Sequence, residues 1–536
     1  MTNFKLMSQS LLGVSLLLGV VACGGGGGGG GRKVEDPSGL KDKSGNEVSM
    51  KAAAGYKVAL DAFAAQDAAG TWAPASCEDV ANKFLAASKE QRDAGGRALP
   101  EAHYNAGLSY QRCGLDDKAK EQFVEASNID NEFHRPRAQL ALYKYKESGD
   151  IDTAVTDLNQ IIVDAKFQNV EGLVALASLQ MQRGGSTSGA GCNDDFACAQ
   201  LNLQRALALD DSFMPAFNQL ALYYLEQARG ESGKERSGLV VAGVKGKKIN
   251  KQRLDLAALV ASQAQKKNPN YAPIHNTTGL ILVELENYNG AVKSFGRSRK
   301  LNPKLFEAQM NYAAVNLSFR GFGEAAAAYR EAIKLRPSTY EAHLGLALAL
   351  RGMISNENYD ANVAEAQKHL DEAKKIEPGR PEAFYNEAIL TEEYRAKRAG
   401  AGKEQIAAWQ EQIDVYNKAT AQYESFISNA SGKAEFEEAV KVSKSRIQDI
   451  KDTVNFITDS IQIAKDEAAQ AAQAKTAPPP PPATPPPAEG QAGADGAGGT
   501  PPAAGAAPAA STPAAGAAPA AAKPAAAKPA ADPKKK

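Results

Sequence analysis

What most constrains this 536-residue chain is an internal repeat of about 34 residues. It starts clearly at Pro100-Glu101-Ala102-His103-Tyr104-Asn105-Ala106-Gly107 and is plainest over Ala272–Pro303 and Phe306–Pro337. Each copy has small residues where two helices must touch: Gly107 and Ala119, Gly279 and Ala291, Ala313 and Ala325. A bulky residue stands four places after the second of each pair (Phe123, Phe295, Tyr329), followed by another small one (Ala126, Ser298, Ala332). The unit closes at Asn131, Pro303 or Pro337. A helix pair of this length cannot bury its apolar face alone and must stack on copies of itself. The expected fold class is therefore all-α: a solenoid of about nine helix-turn-helix units between roughly Met50 and Ile427. Such arrays bind; they rarely catalyse.

The pattern resembles the tetratricopeptide repeat (TPR) family. Phe217-Leu220-Ala221-Tyr224 fits the first half of that family's motif, and Ala325-Tyr329-Ala332-Pro337 fits the second. His103, His275 and His343 stand where the family prefers Trp, and read as packing residues. Copies near Arg135–Gln168 and Pro381–Ile427 are looser, and the first, near Met50–Glu90, shows mainly through Phe84 and Ala87.

The amino terminus reads as an export signal over residues 1–22, with Lys5 before an apolar run, Leu11–Val21. That run is shorter than the roughly 20 residues a membrane-spanning helix needs. Val20-Val21-Ala22-Cys23 resembles a bacterial lipoprotein box, with Val20 departing from the preferred Leu. The resemblance implies cleavage before Cys23 and a lipid on its thiol; the alternative is an ordinary secretory signal that happens to end in Cys. Gly24–Gly31 then serves as a flexible tether, within a segment 23–46. Gly24 is not the Asp that retains enterobacterial lipoproteins at the inner membrane, so the expected location is the outer membrane, periplasmic side. The Gly run is no dinucleotide site, because neither a strand nor a helix with a ribose-binding acid flanks it.

Lys and Arg total 62 against 62 Asp and Glu, so no field attracts nucleic acid. With Cys23 given to the lipid, four cysteines remain in a compartment where disulfides persist. In a TPR stack Cys77 and Cys113 fall on one edge of antiparallel neighbours, and Cys192 can close a small loop with Cys198. The alternatives are free thiols or a metal, but five intervening residues and no nearby His make poor zinc spacing.

The repeats span 47–430, with insertions expected at Gly184–Cys198, Gln227–Arg253, Gly352–Val363 and Lys397–Lys403. The second is basic and carries an apolar run, Leu239-Val240-Val241, so it reads either as a solvated loop or as a docking loop. Residues 431–475 keep one-sided helical spacing (Phe436, Val440, Ile447, Ile450, Val454, Ile457, Ile461) and read as a capping helix. Residues 476–536 are Pro, Ala, Gly and Lys and should be disordered with polyproline bias. Fully extended at about 3.1 Å per residue, that tail reaches on the order of 180 Å.

The family resemblance implies that first helices line a partner groove, at positions i, i+4 and i+7. The candidates are Tyr104, Leu108, Leu222, Leu225, Leu280, Val283, Met310, Leu317, Leu344, Leu348, Tyr385 and Ile389, with Gln111, Asn218, Asn276, Arg351 and Glu392 at the polar inward positions. Such a groove would accept a peptide or helix; packing between units is the alternative reading. The carboxylate clamp of chaperone-binding TPRs needs Lys and Asn, then Lys and Arg two units on; Asn276 and Leu280, then Leu344 and Leu348, do not supply it. No catalytic constellation, cofactor motif or metal set appears.

The whole arrangement resembles the TPR lipoprotein of the myxobacterial adventurous gliding (Glt) machinery. That implies a scaffold for envelope proteins in a trans-envelope motility complex. An assembly or pilot lipoprotein for a pilus, secretin or outer-membrane barrel machine is the alternative, and an activator of a cell-wall enzyme a third.

Overall fold

The computed structural model describes residues 46–69, 72–185, 192–230 and 249–476. Cys23 and the Gly tether, 231–248 of the basic insertion and the tail beyond 476 lie outside the described residues. The chain divides into two units, Met1–Ala468 and Ala469–Lys536. Of the second, the described residues are 469–476, and they are helical.

The first unit is a succession of helix pairs with no strand among its described residues. They are α1 (Met50–Ala69) and α2 (Pro74–Asp93), α3 (Pro100–Gln111) and α4 (Asp116–Ile129), α5 (His134–Ser148) and α6 (Ile151–Asp164). Next come α7 (Val170–Arg183) and α8 (Asp195–Leu209), α9 (Met214–Arg229) and α10 (Lys251–Lys267), α11 (Ala272–Glu284) and α12 (Tyr288–Leu301). Then follow α13 (Phe306–Ser318) and α14 (Phe322–Leu335), α15 (Tyr340–Gly352) and α16 (Tyr359–Ile376). The ninth pair is interrupted: α17 (Pro381–Leu390) passes through a π-helical turn, Thr391–Arg395, into α18 (Ala396–Arg398), and α19 (Gln405–Ala430) returns. A 40-residue helix, α20 (Glu437–Thr476), comes last.

What makes the pairs is size. On the second helices, Ala119, Ala154, Ala199, Ala257, Ala291, Ala325, Ala366 and Ala419 are all buried. Four residues on, and also buried, stand Phe123, Leu158, Leu203, Ala261, Phe295, Tyr329, Leu370 and Tyr423. Only α10 breaks the series, with Ala261. The aromatic rings drive into the first helices where glycine leaves room. A Cβ built on Gly107 would stand 2.6 Å from the Phe123 ring, and one on Gly279 would overlap Phe295. Gly345 meets Tyr329 of the preceding pair in the same way, so the interlock also joins pairs.

The links between pairs repeat as well. Asp130, Asp210, Asn268 and Asn302 each leave a second helix with extended backbone. Their side-chain oxygens accept from the backbone N–H two residues on, at 2.9–3.0 Å (Glu132, Ser212, Asn270, Lys304). A short acceptor side chain in this place turns the chain sharply without a glycine. Cations cover the junctions: Arg336 lies 4.1 Å from the centre of the Phe306 ring, and Arg380 lies 3.8 Å from that of Tyr340. Lys304 Nζ also donates at 2.9 Å to the carbonyl of Trp72, 232 residues away, so the link after the sixth pair touches the loop of the first.

The insertions are tighter than the spacing suggests. Asp194 caps α8 by accepting from the Ala197 N–H at 2.7 Å, which puts Cys198 on a helix instead of in a loop. Asn358, hydrogen-bonded to Ser355 N and to Met353 O, lets α16 begin at Tyr359, four residues before the expected Val363.

Two outcomes follow from this packing. Gly279→Val forces a branched side chain into the Phe295 ring and should cost about 1–3 kcal/mol, read as a lower midpoint in urea unfolding. The second concerns pH. His343 Nε2 donates to the Pro337 carbonyl at 2.8 Å, leaving its Nδ1 to accept from His369 Nδ1 at 2.9 Å. Burial, and then the neighbouring His343, push the His369 imidazole down to about 4. The neutral folded state is thus fully favoured above the unfolded value near 6.5, and the stability drains as pH falls from there toward 4. The loss should approach about 3 kcal/mol, and His369→Gln should flatten it in melts run across that window.

Candidate functional site

First helices lean on the first helices of neighbouring pairs, whereas second helices scarcely touch one another. The stack therefore curves toward its first helices, and these line the inner face. That curvature separates the twelve groove candidates into two sets. Tyr104, Leu108, Leu225, Val283, Met310, Leu344 and Tyr385 are buried. They are core residues: six occupy flank positions, which an inner layer of closely spaced helices covers with the next pair, and Leu108 is a middle position that is buried as well. Leu222, Leu280, Leu317, Leu348 and Ile389 stay half-buried. Four of these five occupy the middle inward position, the one farthest from both neighbours.

Between the apolar residues runs a polar ladder from one first helix to the next. Asn105 Nδ2 donates to Tyr56 Oη at 2.6 Å. Gln182 Nε2 donates to Tyr145 Oη at 3.0 Å, and Thr277 Oγ1 to Asn218 Oδ1 at 2.7 Å. Asn311 Nδ2 donates to Asn276 Oδ1 at 3.0 Å, and Arg351 Nη1 to Asn386 Oδ1 at 2.9 Å. Asn218, Thr277 and Asn386 are buried, so breaking a rung leaves an unsatisfied polar group. Asn218 and Asn276 are visible in the sequence as inward positions, but their partners are not. Each of Thr277, Asn311 and Asn386 sits one place after an inward position, an offset that would have found them.

The ladder ends in a charged cluster at the π-helical turn. Glu392 accepts from Tyr423 Oη at 2.6 Å and from Arg446 Nη1 at 2.7 Å, and Arg446 also reaches Glu393 at 2.9 Å. Burial raises the Tyr423 phenol well above its ordinary value, so it remains a donor. One turn inward, burial holds the Arg351 guanidinium below its ordinary value. Ala347, Leu348, Ala366, Leu370 and Leu390 form a narrow apolar slot beside it, with about 160 Å³ of empty space counting open solvent.

The four described cysteines are paired. Cys77 on α2 is joined to Cys113, just past α3, with Cα atoms 6.4 Å apart. Cys192 is joined to Cys198 on α8, with Cα atoms 5.2 Å apart. Each pair adjoins a half-buried ion pair. Arg112 grips Asp67 through Nε and Nη2, both at 2.7 Å, under the Phe63 and Trp72 rings. Arg183 grips fully buried Asp195 in the same two-pronged way, also at 2.7 Å. Among the described residues no group of three or more His, Cys, Asp or Glu is placed to hold a metal ion. Cys113→Ser opens a link between residues 36 apart and should cost about 3–4 kcal/mol in the chain-entropy description, measured by unfolding with and without reductant.

The tetratricopeptide repeat family model matches residues 100–133, which are α3, α4 and the turn after them. Together with the nine helix pairs among the described residues, this makes the fold a TPR α-solenoid. Repeats of this kind generally mediate protein–protein interaction. No curated protein matches the chain. Among solved structures, the thermophilic TPR protein TTC0263 of Thermus thermophilus is 23% identical, covering 41% of this chain and 99% of its own, with TM-score 0.33. A tetratricopeptide repeat protein of Parabacteroides merdae is 15% identical, covering 61% of this chain and 98% of its own, with TM-score 0.32. YrrB, described as a TPR protein with an unusual peptide-binding site, is 17% identical, covering 43% and 97%, with TM-score 0.27.

Proposed function

We propose that this chain is a lipid-anchored periplasmic scaffold that holds envelope proteins together, as part of a trans-envelope complex at the outer membrane. The observation that carries the binding role is the row of half-buried residues Leu222, Leu280, Leu317, Leu348 and Ile389, on an inner face stiffened by the polar ladder. An apolar stripe fixed between polar rungs suits an amphipathic helix or an extended segment, whose backbone and side chains the two can serve together. The anchor is assigned to Cys23 by its lipoprotein-like setting, and the Gly run after it leaves the array free to reorient. Among the described residues no helix is long and apolar enough to cross a membrane, and in this reading the lipid makes the attachment. The gliding apparatus is the machine proposed, on architectural resemblance. No reaction is assigned: the carboxylates and histidines of the inner face are engaged in hydrogen bonds and ion pairs.

The combined substitution Leu222→Glu, Leu280→Glu, Leu348→Glu should leave helical content and melting temperature near the wild type. It should lower partner affinity at least about a hundredfold, since each leucine gives up apolar contact area worth about 25 cal/mol per Å². Crosslinking in intact envelopes, followed by identification of the captured proteins, reads this directly. Motility proteins among those lost support the machine proposed; loss of secretin, barrel-insertase or murein enzymes instead reassigns it; an unfolded array removes the groove. Separately, Cys23→Ser should leave the protein unprocessed and out of the detergent phase. Unchanged partitioning removes the anchor.

A further inference from the structure

Among the described residues Arg351, on the inner face, has no carboxylate within ion-pair distance, and Glu393, engaged with Arg446, acts on it only from farther off. Arg351, on the last turn of α15, makes a single polar contact among the described residues, Nη1 to the neutral amide oxygen of Asn386 at 2.9 Å. Asn386 is fixed in turn, donating its own Nδ2 to the Glu382 carbonyl at 2.8 Å, so it orients the guanidinium and adds no charge to it. Among the described residues its Nε and Nη2 make no hydrogen bond to protein.

The carboxylates nearby are committed elsewhere. Glu393 pairs with Arg446 at 2.9 Å, and Glu392 with Arg446 and Tyr423. Glu382 pairs with Arg380 at 3.1 Å, and Glu387 with Lys374 at 2.7 Å. Other cations of similar depth in this protein are matched: Arg112 by Asp67, Arg183 by Asp195, Arg229 by Glu226 and Glu284. Burial with no carboxylate in contact is unfavourable for a guanidinium, and the edge formed by Nε and Nη2 presents two N–H groups in the geometry of a carboxylate. Half-buried Leu348 lies one turn before it, and Leu317 and Ile389 stand on the first helices to either side.

Resting on the scaffold reading above, we propose that Arg351 is the anchor of the partner groove. It takes the side-chain carboxylate of an Asp or Glu set between apolar residues of the bound segment. Apolar contacts on both sides favour a carboxylate inside the segment over one at a chain end. A single guanidinium edge, with a cluster of two carboxylates and one arginine beyond it, favours one acid over a run of them. This arrangement is distinct from a clamp of Lys and Asn, then Lys and Arg, whose positions here hold Asn276 and Leu280, then Leu344 and Leu348.

The test is selection from a phage-displayed library of random peptides, each about twelve residues long, on the full-length protein held in detergent. Enriched peptides should share one Asp or Glu with apolar residues on both sides. Changing that acid to its amide should weaken binding at least about tenfold in fluorescence anisotropy, and Arg351→Gln should cost the same and no longer distinguish the two peptides. Arg351→Leu should lose the same distinction while staying folded, its melting lowered by no more than the one hydrogen bond to Asn386 that it breaks. Enriched peptides with no acid, or equal binding to Arg351→Gln, overturn the carboxylate assignment and leave the scaffold standing. Peptides that need a free chain end overturn the side-chain assignment. A library that enriches nothing overturns both. Melting of Arg351→Leu lowered beyond that, with unchanged peptide selection, makes Arg351 a structural residue and ends the proposal.

Discussion

How closely a first helix can approach its second decides everything else in this array. Glycine at 107 and 279 lets the Phe123 and Phe295 rings reach the backbone itself, and Gly345 does the same for Tyr329 across the junction between pairs. Aromatic rings bury large areas, and a protein interior tolerates little misfit around them. The interlock therefore sets both the angle within a pair and the step to the next. Where it weakens, at Ala261 of α10, the pair depends on its first helix instead, which buries Phe217, Tyr223 and Leu225.

The step between pairs has a cost for the inner face. First helices crowd together on the short side of a curved stack, so most of the residues that point inward are consumed as packing. What remains open is one half-buried apolar residue in each of several pairs, separated by hydrogen-bonded rungs. Specificity on such a face cannot come from apolar area alone, since leucines discriminate weakly. It has to come from the few polar groups that keep a hydrogen-bonding edge open, the role proposed for Arg351.

The fold was legible because its determinants are local and periodic. Small residues at Gly107, Ala119 and Ala126 recur with the bulky Phe123, and a repeated short pattern survives the loss of any single member. The looser copies were recognisable only because their neighbours were strict. Inner-face exposure was not legible, because periodicity identifies which way a side chain points and says nothing of how near the next helix lies. Leu344 and Leu348 share one helical face, yet the first is sealed and the second is not. The ladder was half legible: Asn218 and Asn276 stand out as polar residues in apolar positions, while Thr277 and Asn311 acquire meaning only from contacts 59 and 35 residues away. Helix starts such as Tyr359 were missed because Asn358 ties the preceding loop down through Ser355 and Met353, which the apolar pattern that follows does not reveal.

A stack of identical neighbours ordinarily has no polarity in how it comes apart. Each terminal unit has one neighbour instead of two, so a solenoid frays from both ends toward the middle. The Cys77–Cys113 bond removes that symmetry by tying the first pair to the second covalently, while α20 only lies against the last. Unzipping under tension or heat is therefore biased toward the carboxyl end, like a zipper with a stop at one side. The last pairs, where Arg351 and the π-helical turn lie, become the most readily opened part of the array, and the first pairs its fixed reference.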